Sequence, residues 1–125
     1  MLTFYIYASY VFHIFASIFL NARVLKKKEH PVRFKEKLGL YEIKNNSPTV
    51  WFHASSLGEI KSVVPLISYF DKNKNYKILI TTVTLSSSEY CHKIFKHTEN
   101  VTHQFAPLDT PIIVRKFLDH WKPQI

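Results

Sequence analysis

The chain has 125 residues, with seventeen Lys and Arg against nine Asp and Glu for a net charge of +8, and it holds one cysteine and two glycines. That length allows one modest core, and the charge favours an anionic partner such as membrane lipid, a phosphorylated substrate or nucleic acid. The lone Cys91 excludes an internal disulfide, and Gly39 and Gly58 alone are too few for a complete glycine-rich dinucleotide fingerprint.

Residues 1–22 contain no Asp, Glu, Lys or Arg and carry Phe, Tyr, Leu and Ile on every side of a helical wheel. About 20 such residues span a bilayer core of roughly 30 Å, so the stretch reads as a transmembrane or deeply inserted anchor. Tyr5, Tyr7 and Tyr10 then fall toward one interface and His13 at mid-depth. A signal peptide and the buried core helix of a soluble domain are the competing readings, the first lacking its basic start. The basic run Arg23, Lys26, Lys27, Lys28, Arg33, Lys35 and Lys37 weighs for the anchor, since positive flanks stay cytoplasmic and attract anionic headgroups.

Residues 23–44 form this basic juxtamembrane segment. Within it, 29–40 predict either a solvated charged linker or a short helix. The helix would open at Pro31, turn Val32, Phe34 and Leu38 inward and stop at Gly39. Asn45–Pro48 is a turn, after which 45–125 are expected to form one domain.

That domain alternates regularly. Val50–His53, Tyr76–Val83 and Val101–Ala106 read as strands, the second β-branched enough to be buried on both faces. Ile60, Val63, Val64, Ile67 and Phe70 make one helical stripe, and Tyr90, Cys91, Ile94 and Phe95 a second. A third, Ile113, Val114, Phe117, Leu118 and Trp121, follows a cap and a proline at Asp109-Thr110-Pro111. Pro65 either kinks the first helix or marks a start near Ser62. Strand, helix, strand, helix, strand, helix calls for a parallel α/β sheet with right-handed crossovers. Lys122–Ile125 stop where a fourth strand is expected, so the domain reads as cut short.

Chemistry concentrates on two turns. In Ser56-Leu57-Gly58-Glu59 the spacing is that of a capping box, with Ser56 bonding the N–H of Glu59 and Glu59 reaching back to Ser56. The same carboxylate, beside a glycine that lets a ligand approach, could equally serve as a general base. Thr81, Thr82 and Thr84, followed by Ser86-Ser87-Ser88-Glu89, offer either a second capping box from Ser86 to Glu89 or hydroxyls for sugar or phosphate oxygens. Neither His92 with His97 nor His53 with His103 has helical metal-ligand spacing, so no metal site is assigned. A Gly-x-Ser-x-Gly elbow is absent.

The segment Glu29-His30-Pro31-x-Arg33-x-x-Glu36-x-x-Gly39, then Trp51-x-His53-Ala54-x-Ser56-x-Gly58-Glu59, Pro65-Leu66, Thr81-Thr82-x-Thr84, Pro107-x-Asp109 and Phe117-Leu118 occur in a recognisable order. With the apolar N-terminus, they make the chain resemble the N-terminal half of the bacterial 3-deoxy-D-manno-octulosonic acid (Kdo) transferases over essentially its full length. The resemblance implies a GT-B-type glycosyltransferase of two Rossmann-like domains. The N-terminal domain would hold a lipid A precursor, and a C-terminal domain, lacking here, would hold the donor CMP-Kdo. It implies Glu59 as catalytic base, no metal or cofactor, and acceptor contacts from Ser56, Gly58, Thr82, Thr84 and Ser86. Arg23, Lys26, Lys27, Lys28 and Arg33 would meet membrane or acceptor phosphates at the bacterial inner membrane, the globular part facing the cytoplasm. Ser55, Lys37 and Ser87 depart from the family's usual residues. A donor domain in cis or trans is the expected partner, with no nucleic acid. The alternative is a non-catalytic, membrane-bound remnant or lipid-binding module.

Overall fold

Three parallel strands form the centre of the computed structural model, which describes residues 1–73 and 75–125. They are β1 (Thr49–Ala54), β2 (Lys77–Thr82) and β3 (Val101–Phe105), in the order β1-β2-β3, with Trp51 opposite Leu79 and Ile80 opposite His103. Around them lie α1 (Leu2–Leu25), a short 3-10 helix (Arg33–Leu38), α2 (Leu57–Asn73), α3 (Leu85–Phe95) and α4 (Pro111–Trp121).

β2 is buried on both faces, as its Ile-Leu-Ile-Thr-Thr run requires. On one side Ala54, Ile78 and Ile80 meet Ile60 and Ile67 of α2 and Cys91 of α3. On the other, Leu79 meets Phe117 and Trp121 of α4, joined by Tyr41 and Trp51. Successive right-handed crossovers in one direction put α2 and α3 on the same face, and α4 crosses behind the opposite one.

After α4 the chain returns to the outer edge of β1. Pro123 bridges Thr49 in parallel, the Gln124 N–H donates to the Thr49 carbonyl at 2.8 Å, and the Trp51 N–H donates to the Ile125 carbonyl at 2.8 Å. The chain after α4 therefore pairs along the outer edge of β1 and not beyond β3. This is the doubly wound order, in which the direction of winding reverses at β1.

Several local expectations change. Residues 30–32 form a turn because the His30 Nδ1 accepts the N–H groups of Val32 and Arg33, so the helical segment starts at Arg33 with 3-10 geometry. Val32 is consequently exposed, while Phe34 is buried as expected. Gly39 does stop the segment, at φ +78°, where an added Cβ would lie 3.1 Å from Lys116 Cβ. α2 starts at Leu57 and runs through Pro65, giving up the bond that position would make to the Lys61 carbonyl. α3 is capped by Thr84, whose hydroxyl accepts the Ser87 N–H at 3.3 Å, and not by Ser86. Ile94 and Leu118, placed in helical stripes by spacing, stay exposed.

α1 has 24 residues, about 36 Å at 1.5 Å per residue, which is long and apolar enough to cross a membrane. It is not uniform around its circumference. His13, Ala16, Ser17, Leu20, Arg23 and Val24 form one partly or fully buried stripe, turned toward the 3-10 helix and α4, while the aromatic residues around it are exposed. The helix also continues past the expected end at Ala22 to Leu25, bringing Arg23 into its last turn.

Phe117 is 1% exposed, with its ring 4.9 Å from Trp51 and 6.2 Å from Tyr41 between centroids. Truncating it opens a cavity under α4, so Phe117→Ala should cost about 3–5 kcal/mol. Chemical unfolding of the full chain in detergent, followed by tryptophan fluorescence, will measure the loss.

Candidate functional site

The end of β1 leads directly into α2, and this turn builds the first cluster. Ser56 caps the helix, its hydroxyl accepting the Glu59 N–H at 3.3 Å. The Glu59 carboxylate answers through Oε2, which accepts the Ser55 N–H at 2.8 Å. The capping box thus forms with its return bond at Ser55, one residue earlier than the spacing predicted. Ser55, Ser56, Gly58 and Glu59 are all exposed. A Cβ on Gly58 would find only Ser56 Oγ, at 4.0 Å, so the approach to the carboxylate is open. A carboxylate here also complements the unpaired N–H groups at the start of α2.

Behind this turn, Trp51 Nε1 donates to the Thr81 hydroxyl at 2.9 Å, and the same hydroxyl lies 3.0 Å from His53 Nδ1. The other ring nitrogen of His53 lies 3.3 Å from Ser55 Oγ. Sequence spacing left His53 as a strand end. The signal that finds it is the parallel register, in which His53 and Thr81 are cross-strand partners.

The hydroxyl turn after β2 divides. Thr82, expected at the acceptor, is fully buried, and its hydroxyl is 2.8 Å from His103 Nε2, so it faces the protein and not a ligand. Thr84 and Ser86 are exposed with their hydroxyls 3.2 Å apart, although Thr84 is also occupied in capping α3.

Arg33 belongs to the same buried network. Its guanidinium pairs with Glu36 at 2.8 Å, donates to the His103 carbonyl at 2.8 Å and lies 2.9 Å from His103 Nδ1. Glu36 in turn accepts the Phe105 N–H at 2.7 Å. The pair therefore satisfies backbone groups on the open edge of β3, where a neighbouring strand would otherwise bond. Burial first, and the Arg33 cation second, push the His103 imidazole down to about 3, so the ring is neutral.

Of the other cations expected at phosphates, Arg23 pairs with Glu29 at 2.9 Å. Glu29 is buried and also holds Lys37 at 2.7 Å, and Lys37 donates to the Val83 carbonyl at 3.1 Å. Lys26, Lys27 and Lys28 remain exposed, just past the end of α1. Burial pushes the Cys91 thiol up to about 11, which makes it an inert core group. Among the described residues no three His, Cys, Asp or Glu side chains group as metal ligands. A groove of about 1030 Å³ runs along β3 between the 3-10 segment, α3 and α4, lined by Tyr41, His92, Thr102 and Lys116 among others, but no residue of the Ser55–Glu59 turn reaches it.

Fold and site together define a doubly wound α/β domain with an exposed carboxylate on the turn where its winding reverses, the place where such sheets bind their ligands. A family described as 3-deoxy-D-manno-octulosonic-acid transferase (kdotransferase) matches residues 32–125, and the chain belongs to that family of glycosyltransferases. Among its relatives is a probable mitochondrial 3-deoxy-D-manno-octulosonic acid transferase of Arabidopsis thaliana, 40% identical over 103 residues, which cover 81% of this chain and 23% of that protein. The 3-deoxy-D-manno-octulosonic acid transferase of Rickettsia bellii is 28% identical over 127 residues, 100% of this chain and 30% of its own. That of Haemophilus influenzae is 26% identical over 110 residues, 86% and 25% respectively. The chain thus spans less than a third of the length of these relatives. No solved structure gives a significant match.

The neutral His103 makes stability depend on pH. Its folded value lies near 3 and its ordinary value at 6.5, so between them the unfolded chain binds the extra proton. Stability from this group is complete above about pH 6.5 and falls as pH drops toward 3, by about 1.4 kcal/mol per unit. Unfolding curves between pH 6 and 4 should show this slope in the wild type, added to that of the carboxylates, and His103→Asn should lack it.

Proposed function

We propose that this chain is the acceptor-binding, membrane-anchored part of an enzyme that transfers Kdo from CMP-Kdo to a lipid A precursor in lipopolysaccharide synthesis. The observation that carries the reading is the Glu59 carboxylate, in a chain of this family. It is exposed, held through one oxygen, and set at the reversal point of the sheet. In the proposed reaction Glu59 takes the proton from an acceptor hydroxyl. That oxygen attacks the anomeric carbon of Kdo and the bond to CMP breaks, with inversion and without a metal.

The surroundings of Glu59 favour such an acceptor. Ser56 and Gly58 share its exposed turn, and Thr84 and Ser86 put hydroxyls on the surface after the neighbouring strand. Lys26, Lys27 and Lys28 follow the apolar α1 and would meet phosphates at a bilayer surface. In this reading α1 sits in the bacterial inner membrane with the α/β domain in the cytoplasm. A C-terminal donor-binding domain, in cis or in trans, completes a two-domain GT-B enzyme.

The test is Kdo transfer from CMP-Kdo to a lipid A precursor in detergent, using this chain with and without a separately produced C-terminal domain of a family member. Transfer is expected only with both, and Glu59→Ala should lower the rate by about 10²–10⁴-fold. No transfer when both parts are folded would favour a non-catalytic, lipid-binding role and leave Glu59 as a helix cap.

A further inference from the structure

Trp51 and His53 lie two apart on β1 and so share a face of the sheet, and Thr81 sits beside them on β2. The hydrogen bonds among the three admit one arrangement that leaves no buried hydrogen without a partner. An indole N–H can only donate, so the Thr81 oxygen accepts from Trp51 Nε1. Thr81 is fully buried, and the acceptor its own hydroxyl hydrogen meets is His53 Nδ1, at 3.0 Å. Nδ1 therefore carries no hydrogen, and the neutral ring holds its proton on Nε2, which lies 3.3 Å from Ser55 Oγ. The reverse tautomer would aim a second donor at Thr81 and leave the hydroxyl hydrogen stranded inside the protein.

His53 is itself exposed, and Ser55 touches both it and Glu59. We infer that His53 is a second ligand-contacting residue of the Glu59 site, its ring locked with Nε2–H outward to donate to an oxygen of the saccharide acceptor. The inference rests on the acceptor reading above and adds a residue to it. Two observations support a ligand contact. The contact from Nε2 to Ser55 Oγ is long and open to solvent, so an acceptor oxygen can replace it at little cost. A buried hydroxyl and an indole N–H are also committed to orienting an exposed ring, and that orientation matters to whatever meets the ring from outside.

The test uses the full chain, uniformly labelled with nitrogen-15, in detergent micelles. Nitrogen–proton correlation spectra of the neutral ring should show His53 as a single tautomer protonated on Nε2, and Thr81→Val should turn it into a mixture. A wild-type ring protonated on Nδ1, or a wild-type mixture, overturns the inference. Lipid A precursor added to the micelles should shift the His53 Nε2 signal together with the Ser56 and Gly58 amides. His53→Gln, whose amide can still donate, should bind the precursor several-fold more tightly than His53→Leu. Movement of the two amides with an unmoved His53 signal, or equal affinity in the two variants, overturns this inference and leaves the acceptor reading standing. No movement at any of these positions overturns both.

Discussion

The parallel sheet imposes most of what surrounds it. A strand such as Ile78-Leu79-Ile80, buried on both faces, needs a helix layer on each side, and parallel neighbours can be joined only by crossovers. Every strand then releases its polar turn at the same end of the sheet, which is why the Ser55–Glu59 turn and the Thr84–Ser86 turn are neighbours despite their separation in sequence. The reversal at β1 adds the second condition. α2 leaves β1 over one face, and residues 123–125 reach the outer edge of β1 after α4 has crossed the other, so the start of α2 stands on the strand where the winding changes direction. Glu59 is at that start.

The open edge of β3 sets a different problem, and the 3-10 segment answers it. Outward-facing groups on an edge strand need partners or they invite another chain to pair. Arg33 and Glu36 reach across from the 3-10 helix and take the His103 carbonyl and the Phe105 N–H. Both Arg33 and Lys37 also lie over the Phe105 ring, at 5.1 and 5.3 Å from its centroid. The charge that looks free in the sequence is therefore partly internal. Arg23, Arg33 and Lys37 are held by carboxylates, and the surface cations of the run are Lys26, Lys27, Lys28 and Lys35.

Periodicity carried the elements themselves, because each strand and crossover helix has an apolar pattern of its own. The β-branched run of β2, the stripe of Ile60 and Ile67, and the cap and proline before α4 were all legible locally. The Ser56–Glu59 turn was legible for the same reason, its spacing being the local geometry of a helix start. What spacing could not supply was anything set by register between strands. Thr82 reads as one hydroxyl among several until its partner is known to be His103, and His53 reads as a strand end until Thr81 is placed opposite it. Charged residues misled in the same way. Arg33 looks like a solvated cation in a basic run, and only the edge of β3, some seventy positions later, draws it inward. Thr84 displaced Ser86 as a cap because β2 ends at Thr82, sooner than its apolar run suggested.

One consequence of these buried charges concerns α1. A linker of exposed lysines would leave an apolar helix free to take any angle to the domain it carries. Here Glu29 prevents that, since it holds Arg23 in the last turn of α1 and Lys37 in the 3-10 helix at once. Lys37 in turn holds the Val83 carbonyl, at the head of the turn that carries Thr84 and Ser86. A buried carboxylate left without either cation is costly, so the three residues act as one unit. The stripe of Ala16 and Leu20 packs in the same direction, toward the 3-10 helix and α4. Whatever surface receives the exposed apolar sides of α1, the polar end of the sheet is therefore presented to it at an angle set by these contacts and not by a flexible tether.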